Sequence, residues 1–401
     1  MNVINELPAS IADELEQIMN AALGTVFPAA QIAVYTGDQW RLNRAWGWID
    51  PETQTHPCTV DTHFDLASLT KLFTTNAFLT WMHHHGFSLD DPLEMLIPEF
   101  SASGERPVGG GVDPHTKAPL PILEGMQGKT VNPSHVTFRH LLTHTSGLPA
   151  WLPVYQAAGD PPPPPGEIDP LSREERWRRA LAYLVNTPFV NEPGVEVRYS
   201  DIGLMLLGEA LSRMTYGDDL ATSIVVAAGM GLDFGFLTEA VSEEKRWTIT
   251  PTELDSGWRK RRVWGEVHDE NACGVGKVAG HAGLFAPAHK VALLGIRWLK
   301  SAEMLTPHLH RQATREHART GDERRGLGWM IKSPVNSSAG ERFSPDSYGH
   351  TGFTGTSLWI DPERELVVAL LTNRVYYGRE RVGIHDVRRA VHDCLAKLAD
   401  S

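Results

Sequence analysis

The chain has 401 residues, 41% hydrophobic and 21% charged, enough apolar material for one large or two ordinary folded domains and too much for a disordered chain. Its net charge of −12 speaks against a nucleic acid or an anionic membrane as partner, because both need clustered cations. Three distant cysteines, Cys58, Cys273 and Cys394, with no CxxC pair, read as reduced thiols and exclude a disulfide framework.

From the N-terminus onward, acids stand where a signal peptide would carry cations, and no run of about 18 apolar residues follows anywhere. A cytoplasmic protein without a membrane span is expected. Apolar residues at helical spacing (Ile11, Leu15, Ile18, Met19, Ala22) predict a helix over 9–23. Two strand-like runs, from Gln31 and from Trp40, meet at a Gly-Asp turn and predict a hairpin. Residues 101–133 are rich in Gly and Pro without periodicity and read as a long loop or lid. The five prolines 161–165 read as an extended surface spacer. The basic stretch around Arg173–Arg179 interleaves Glu174 and Glu175 and reads as a solvated helix face. Near the C-terminus, TSLWID and ELVVALLTN form a strand pair broken at Pro362, and a helix is expected from about Ile384 to Leu398. Strands and helices at both ends around a helical middle predict an α/β domain from 1–60 and 290–401. Residues 61–289 would be an inserted, mainly helical domain, with the active site in the cleft between the two.

The chemistry concentrates in three segments. Ser68-Leu69-Thr70-Lys71 opens an apolar helix, so Lys71 lies one turn beyond Ser68 and its amine can reach the hydroxyl. A serine is a weak nucleophile that needs such a neighbouring base, and a helix N-terminus offers backbone N–H groups to an oxyanion. The same spacing recurs at Ser242 and Lys245, in an exposed acidic stretch that opens no apolar helix, and is read as chance. Tyr199-Ser200-Asp201 precedes the apolar helix IGLMLLGEALSRM. The phenol can relay a proton, and Asp201 either accepts hydrogen bonds from Lys71 or substrate or simply caps the helix. Finally, His350-Thr351-Gly352-Phe353 precedes the strand SLWID. Glycine there lets a substrate backbone approach closely; His350 and Thr351 would supply donors, and the Phe353 N–H would pair with that of Ser68 as an oxyanion hole.

These motifs, in this order, resemble the serine β-lactamase and penicillin-binding-protein superfamily. The closest likeness is to its class C β-lactamase-like branch, with DD-peptidases and family VIII esterases. RHLLTHTSGLP from Arg139, GEVHDENACGVGKVAGHAGLFAPA from Gly265 and DPERELVVALLTNR from Asp361 strengthen the likeness, which runs over about residues 20–398. The resemblance implies a β-lactamase/transpeptidase-like α/β (α+β) fold, an antiparallel sheet flanked by helices with the inserted helical domain. It also implies a Ser68 acyl-enzyme on a small ester, D-amino-acid peptide or β-lactam, with Ser68, Lys71 and Tyr199 catalytic and Asp201, His350, Thr351, Gly352 and Phe353 binding substrate or the oxyanion. Two departures stand out. Asp201 replaces the Asn common in the family and adds a negative charge beside Lys71. His350 replaces the Lys that binds the substrate carboxylate in β-lactamases, and a histidine is mostly neutral near pH 7.

Competing constellations are weaker. His83, His84 and His85 are consecutive and point to different sides of a helix; His140 and His144 sit at i, i+4, but the resemblance makes that stretch structural. There is no HExxH, so no metal and no cofactor are expected. His268 and Asp269 fall near the cleft by resemblance. Trp151, Trp258 and Trp264 read as core. No GxSxG, P-loop or dinucleotide fingerprint is present. A small-molecule or short-peptide substrate is expected, and a penicillin-binding sensor or a non-catalytic scaffold is the alternative.

Overall fold

The computed structural model describes residues 2–400 except 115, 216–218, 230–233, 239–240 and 301–304. Its centre is a nine-stranded antiparallel sheet drawn from both ends of the chain. In chain order the strands are β1 (Ile4–Asn5), β2 (Ala29–Thr36), β3 (Gln39–Gly47), β4 (Ala318–Thr320), β5 (Glu323–Arg325), β6 (Met330–Ile331), β7 (Tyr348–Thr351), β8 (Ser357–Asp361) and β9 (Leu366–Thr372). Their spatial order is β1-β3-β2-β9-β8-β7-β6-β5-β4, so the N-terminal hairpin docks on the C-terminal strands through β2 and β9.

The central strands are apolar on both faces because both faces are covered. Along β9, Leu366, Val368 and Leu370 pack into one core, while Val367, Ala369 and Leu371 face the other. The first core lies under α1 (Ala9–Ala22) and the C-terminal helix (Ile384–Ala396), which bury Ile11, Leu15, Met19, Val387, Val391 and Leu395. On the opposite face a helix over Ala288–Leu299 packs so closely at Gly295 that a Cβ there would lie 2.6 Å from Val367 Cγ1. Beyond it, α2 (Thr70–His84) is buried on nearly every side from Thr70 to Leu79 and forms the axis of the helical region. An all-round buried helix needs no amphipathic stripe.

Several local expectations change on inspection. The 101–133 loop is tied: Arg106–Pro107 pairs with Thr130–Val131, and Val112 bridges to both Pro119 and Trp151. Residue 115 of that loop lies outside the described residues. The proline run is pinned by Arg261, which donates to the Pro162 and Pro163 carbonyls at 2.9 and 3.2 Å. The basic face at Arg173–Arg179 is interrupted by Arg176, only 1% exposed and paired with Asp169 at 2.8 Å, because that side of the helix turns inward. Ser242 caps a one-turn helix by accepting from the Lys245 N–H at 3.2 Å, which accounts for the second Ser-x-x-Lys. The three cysteines are free and buried. No helix among the described residues is long and apolar enough to cross a membrane.

Candidate active site

A strained turn presents Ser68. Phe64–Asp65 leads into a 3-10 turn at Ala67–Leu69 that runs directly into α2. Ala67 has φ = +46°, a left-handed conformation that residues with a side chain rarely adopt. The buried Asp65 holds it, accepting the Ala67 N–H at 2.8 Å and the His268 N–H at 2.6 Å. The β7–β8 turn is fastened to the same segment: Thr354 Oγ1 donates to the Asp65 carbonyl at 2.7 Å and Thr356 Oγ1 to the Leu66 carbonyl at 3.0 Å. Gly352 fits between them because it has no Cβ; one would sit 2.5 Å from the Leu66 oxygen. These bonds bring Ser68, from residue 68 of the chain, beside His350–Phe353.

Lys71, one helical turn on and 1% exposed, donates to Ser68 Oγ at 2.8 Å and to the His281 carbonyl at 3.1 Å, and lies 2.8 Å from Asp201 Oδ1. Burial favours the neutral amine, but the Asp201 carboxylate outweighs it and pushes its pKa up, so the ammonium is the resting form. Asp201 opens a helix over Asp201–Met214 whose cap is Ser200, accepting from the Gly203 N–H at 3.1 Å. The capping alternative for Asp201 is therefore corrected: Ser200 does that work and leaves the Asp201 carboxylate to Lys71.

Tyr199 sits between two imidazoles, 4.7 Å from the His144 ring and 5.8 Å from the His350 ring, with Lys71 Nζ 4.9 Å from its own ring centroid. Burial raises its pKa, so the phenol keeps its proton. His350, 2% exposed, bonds through Nδ1 to the Thr351 carbonyl at 2.8 Å, which makes that nitrogen the N–H. Burial, Arg325 and Lys71 push its pKa well below 6.5. The donor role expected for His350 is corrected accordingly. A neutral ring whose one N–H is already engaged offers only an acceptor at Nε2. His140 and His144 are engaged in the backbone, accepting from the Thr137 N–H at 3.2 Å and the Ser200 N–H at 3.0 Å, as their structural reading implied.

Ser68, Tyr199, Asp201, His350, Thr351, Gly352 and Phe353 all line one cleft of about 410 Å³. Lys71 sits beneath Ser68 as its buried partner. The rest of the lining mixes five cations with the carboxylates of Asp269 and Glu270 and with apolar side chains such as Trp151, Met330 and Ile384. Arg325 (β5) lies with Cζ 5.3 Å from the Tyr199 centroid, and Lys117, from the long loop, has Nζ 3.7 Å above the Trp151 ring. Arg388 donates to the Gly352 and Thr356 carbonyls at 2.9 and 2.7 Å, and its burial brings its pKa down to about 9. Arg374 donates to the Phe353 carbonyl at 2.9 Å, and Arg379 pairs with Glu253 and Glu270. Among the described residues, Asp201, Asp269 and His281 place one donor atom each within 4.8 Å of one another; the cation beside this group is the Lys71 ammonium.

The motifs marked residues that the fold gathers in one cleft, but not this charged wall. Asp65 and the four arginines stand alone in sequence, with no spacing that marks them. His268 and Asp269 line the cleft as the resemblance placed them, and Trp151, read as core, is both buried and part of the cleft wall.

The antiparallel sheet, the helical region against it and a Ser-x-x-Lys pair facing a Tyr and a His-Thr-Gly turn define an acyl-serine architecture. The chain belongs to the Beta-lactamase family, which it matches over residues 12–393. It is 28% identical over 377 residues to a Salmonella agona protein provisionally named a D-alanyl-D-alanine carboxypeptidase, covering 87% of this chain and 79% of that one. Its fold is also that of three solved structures. Simvastatin synthase (LovD) from Aspergillus terreus superposes with a TM-score of 0.70 at 21% identity, covering 98% of this chain and 99% of that one. EstCE1, a hydrolase with promiscuous acyltransferase activity, gives 0.68 at 20%, with coverage of 96% and 98%. A penicillin-binding protein homologue from Caulobacter crescentus gives 0.67 at 18%, with coverage of 98% and 100%. The chain is a serine-hydrolase-type enzyme of this family.

Proposed function

We propose that the protein hydrolyses an ester or amide bond in a small, negatively charged acyl donor, an acid ester or a D-amino-acid peptide with a free carboxylate, through an acyl-enzyme on Ser68. The observation that carries the reading is the 2.8 Å contact between Lys71 Nζ and Ser68 Oγ inside the cleft wall. Lys71 must first lose its extra proton. Its neutral amine then accepts the Ser68 proton as Oγ bonds to the carbonyl carbon, and Tyr199 passes a proton to the leaving group as the old bond breaks. The Ser68 and Phe353 N–H groups would hold the oxyanion, with Thr351 and Gly352 lining the substrate's edge. Water then attacks the acyl carbon along the same proton route in reverse and restores Ser68.

The preference for an anion follows from charge. Five cationic side chains (Lys117, Arg325, Arg374, Arg379, Arg388) line the cleft against three carboxylates (Asp201, Asp269, Glu270), in a chain whose net charge is −12. Because His350 is neutral, Arg325, whose Nε and Nη2 donate to Glu323, is the cation we assign to a substrate carboxylate. The relatives named as carboxypeptidases favour a peptide, and the esterase-like fold neighbours favour an ester.

Intact mass after incubation with a fluorophosphonate and, separately, with a penicillin tests the reading. One adduct in the wild type and none in Ser68→Ala is expected. Equal labelling of the variant would refute Ser68 as nucleophile, and a penicilloyl adduct that never decays, with no turnover of simple esters, would make the protein a penicillin-binding sensor instead of a hydrolase.

A further inference from the structure

Behind Lys71 lies a second carboxylate that the mechanism has not used. Asp269 caps a short helix over Glu270–Gly274, its Oδ1 accepting from the Ala272 N–H at 2.7 Å. The same oxygen lies 2.8 Å from His281 Nε2, which donates to it. His281 is 1% exposed, its Nδ1 is buried without a partner, and its own carbonyl receives the Lys71 ammonium at 3.1 Å. Leaving a ring nitrogen buried and unpaired is costly, so packing alone is a poor reason for an imidazole here. The ring holds the Asp269 carboxylate close to that of Asp201, with donor atoms within 4.8 Å.

We infer that Asp269, oriented by His281, is a positioning residue that adds to Asp201 in holding Lys71 as an ammonium and so shifts the pH at which Ser68 can be acylated. The inference rests on the reading of Ser68 and Lys71 given above. The groups around Lys71 come from every element packed against it: Asp201 and Tyr199 at the helix over Asp201–Met214, His144 from the preceding loop, His350 from β7, Arg325 from β5, and Asp269 with His281 behind. Asp65 accepts the His268 N–H, one residue before Asp269. Asp201 is the anion in contact with the ammonium, at 2.8 Å. Against burial, His281 first, then the Ala272 N–H and Lys71, hold the Asp269 carboxyl below its usual range. Helix capping does not need the charge, because Asn and Ser cap as well as Asp. Asp269 neither gives nor takes a proton in the reaction. It acts by making the Lys71 proton harder to lose.

The test is the pre-steady-state burst of p-nitrophenol from p-nitrophenyl acetate, followed across acid, neutral and alkaline pH on the full chain. In Asp269→Asn, loss of the anion lowers the basicity of the Lys71 amine, so the rising limb of the burst rate moves to lower pH by about one unit, tenfold in amine basicity. Asp269→Ser, a second neutral capping residue, moves it the same way and replaces the first variant if that one does not fold. Asp269→Glu keeps the charge and keeps the limb near the wild-type position. A limb that stays in place in both neutral variants while the rate falls equally at all pH would overturn the inference, leaving Asp269 a helix cap. Fluorophosphonate labelling separates the two levels. A burst that persists in Ser68→Ala overturns the parent reading as well, whereas unmoved limbs with Ser68 still labelled overturn only the role of Asp269.

Discussion

Lys71 Nζ and Asp201 Oδ1 stand 2.8 Å apart, as close as the same nitrogen stands to the Ser68 hydroxyl. The family's more usual Asn would leave the amine without that carboxylate. Here the carboxylate stabilises the ammonium, and on the proposed mechanism it would raise the pH at which acylation begins.

Asp201→Asn is expected to move the rising limb of the acylation rate to lower pH by about 1–3 units, the span typical of removing one close opposite charge. The sign follows from the active form being the neutral amine. Stability carries the opposite signature. Lys71 has its folded-state pKa raised, so the pair stabilises the fold fully below the unfolded lysine value of about 10.4 and loses that contribution as pH rises through the folded value. Thermal melting of the wild type should fall on the alkaline side more steeply than that of Asp201→Asn.

Asp65→Ala should damage the fold and the nucleophile together. It leaves the buried Ala67 and His268 N–H groups without their acceptor, at about 1–3 kcal/mol each, and releases the left-handed Ala67. A lower melting temperature and slower fluorophosphonate labelling of Ser68 are the expected pair of results. Labelling at the wild-type rate would mean that the strained turn does not depend on this clamp.

Arg325→Met removes a cation that lies 5.3 Å from the Tyr199 ring centroid while approximating the length of the stem. With an ester whose acyl portion carries a carboxylate, kcat/KM should fall by about 10–100-fold, the worth of one charged hydrogen bond. With a neutral ester of the same length it should change little. Equal losses on both substrates would assign Arg325 to supporting the wall instead of binding the carboxylate.

His350→Asn retains a donor for the Thr351 carbonyl and removes the ring. Since burial and two nearby cations hold the imidazole neutral, no step near pH 6–7 should disappear from the rate profile of the variant. A wild-type step in that region that the variant lacks would show His350 working as a cation.

Much of the architecture was legible because it rests on local rules. The spacing of Ile11, Leu15 and Met19 is that of the buried stripe of α1, and the unbroken apolar run ELVVALLTN became a strand covered on both faces. Ser68 and Lys71 are one turn apart on a single helix, so their contact could be read from three residues of spacing. The wall of the cleft was not legible. Arg325, Arg374, Arg379 and Arg388 come from a sheet strand, a turn, a loop and the last helix, and nothing local distinguishes them from arginines on a solvated surface such as Arg178.

The sequence by itself determined the order of the motifs, the two strand-rich ends and the contact of Ser68 with Lys71, because these depend on periodicity and short spacing. Tertiary structure alone decided the charge states: Lys71 held as an ammonium, His350 kept neutral, Asp201 freed from capping by Ser200 and Asp269 set behind the lysine. Burial and opposite charges a few ångströms away govern protonation, and those distances exist only once residues 65, 71, 201, 269 and 350 have been folded onto one another.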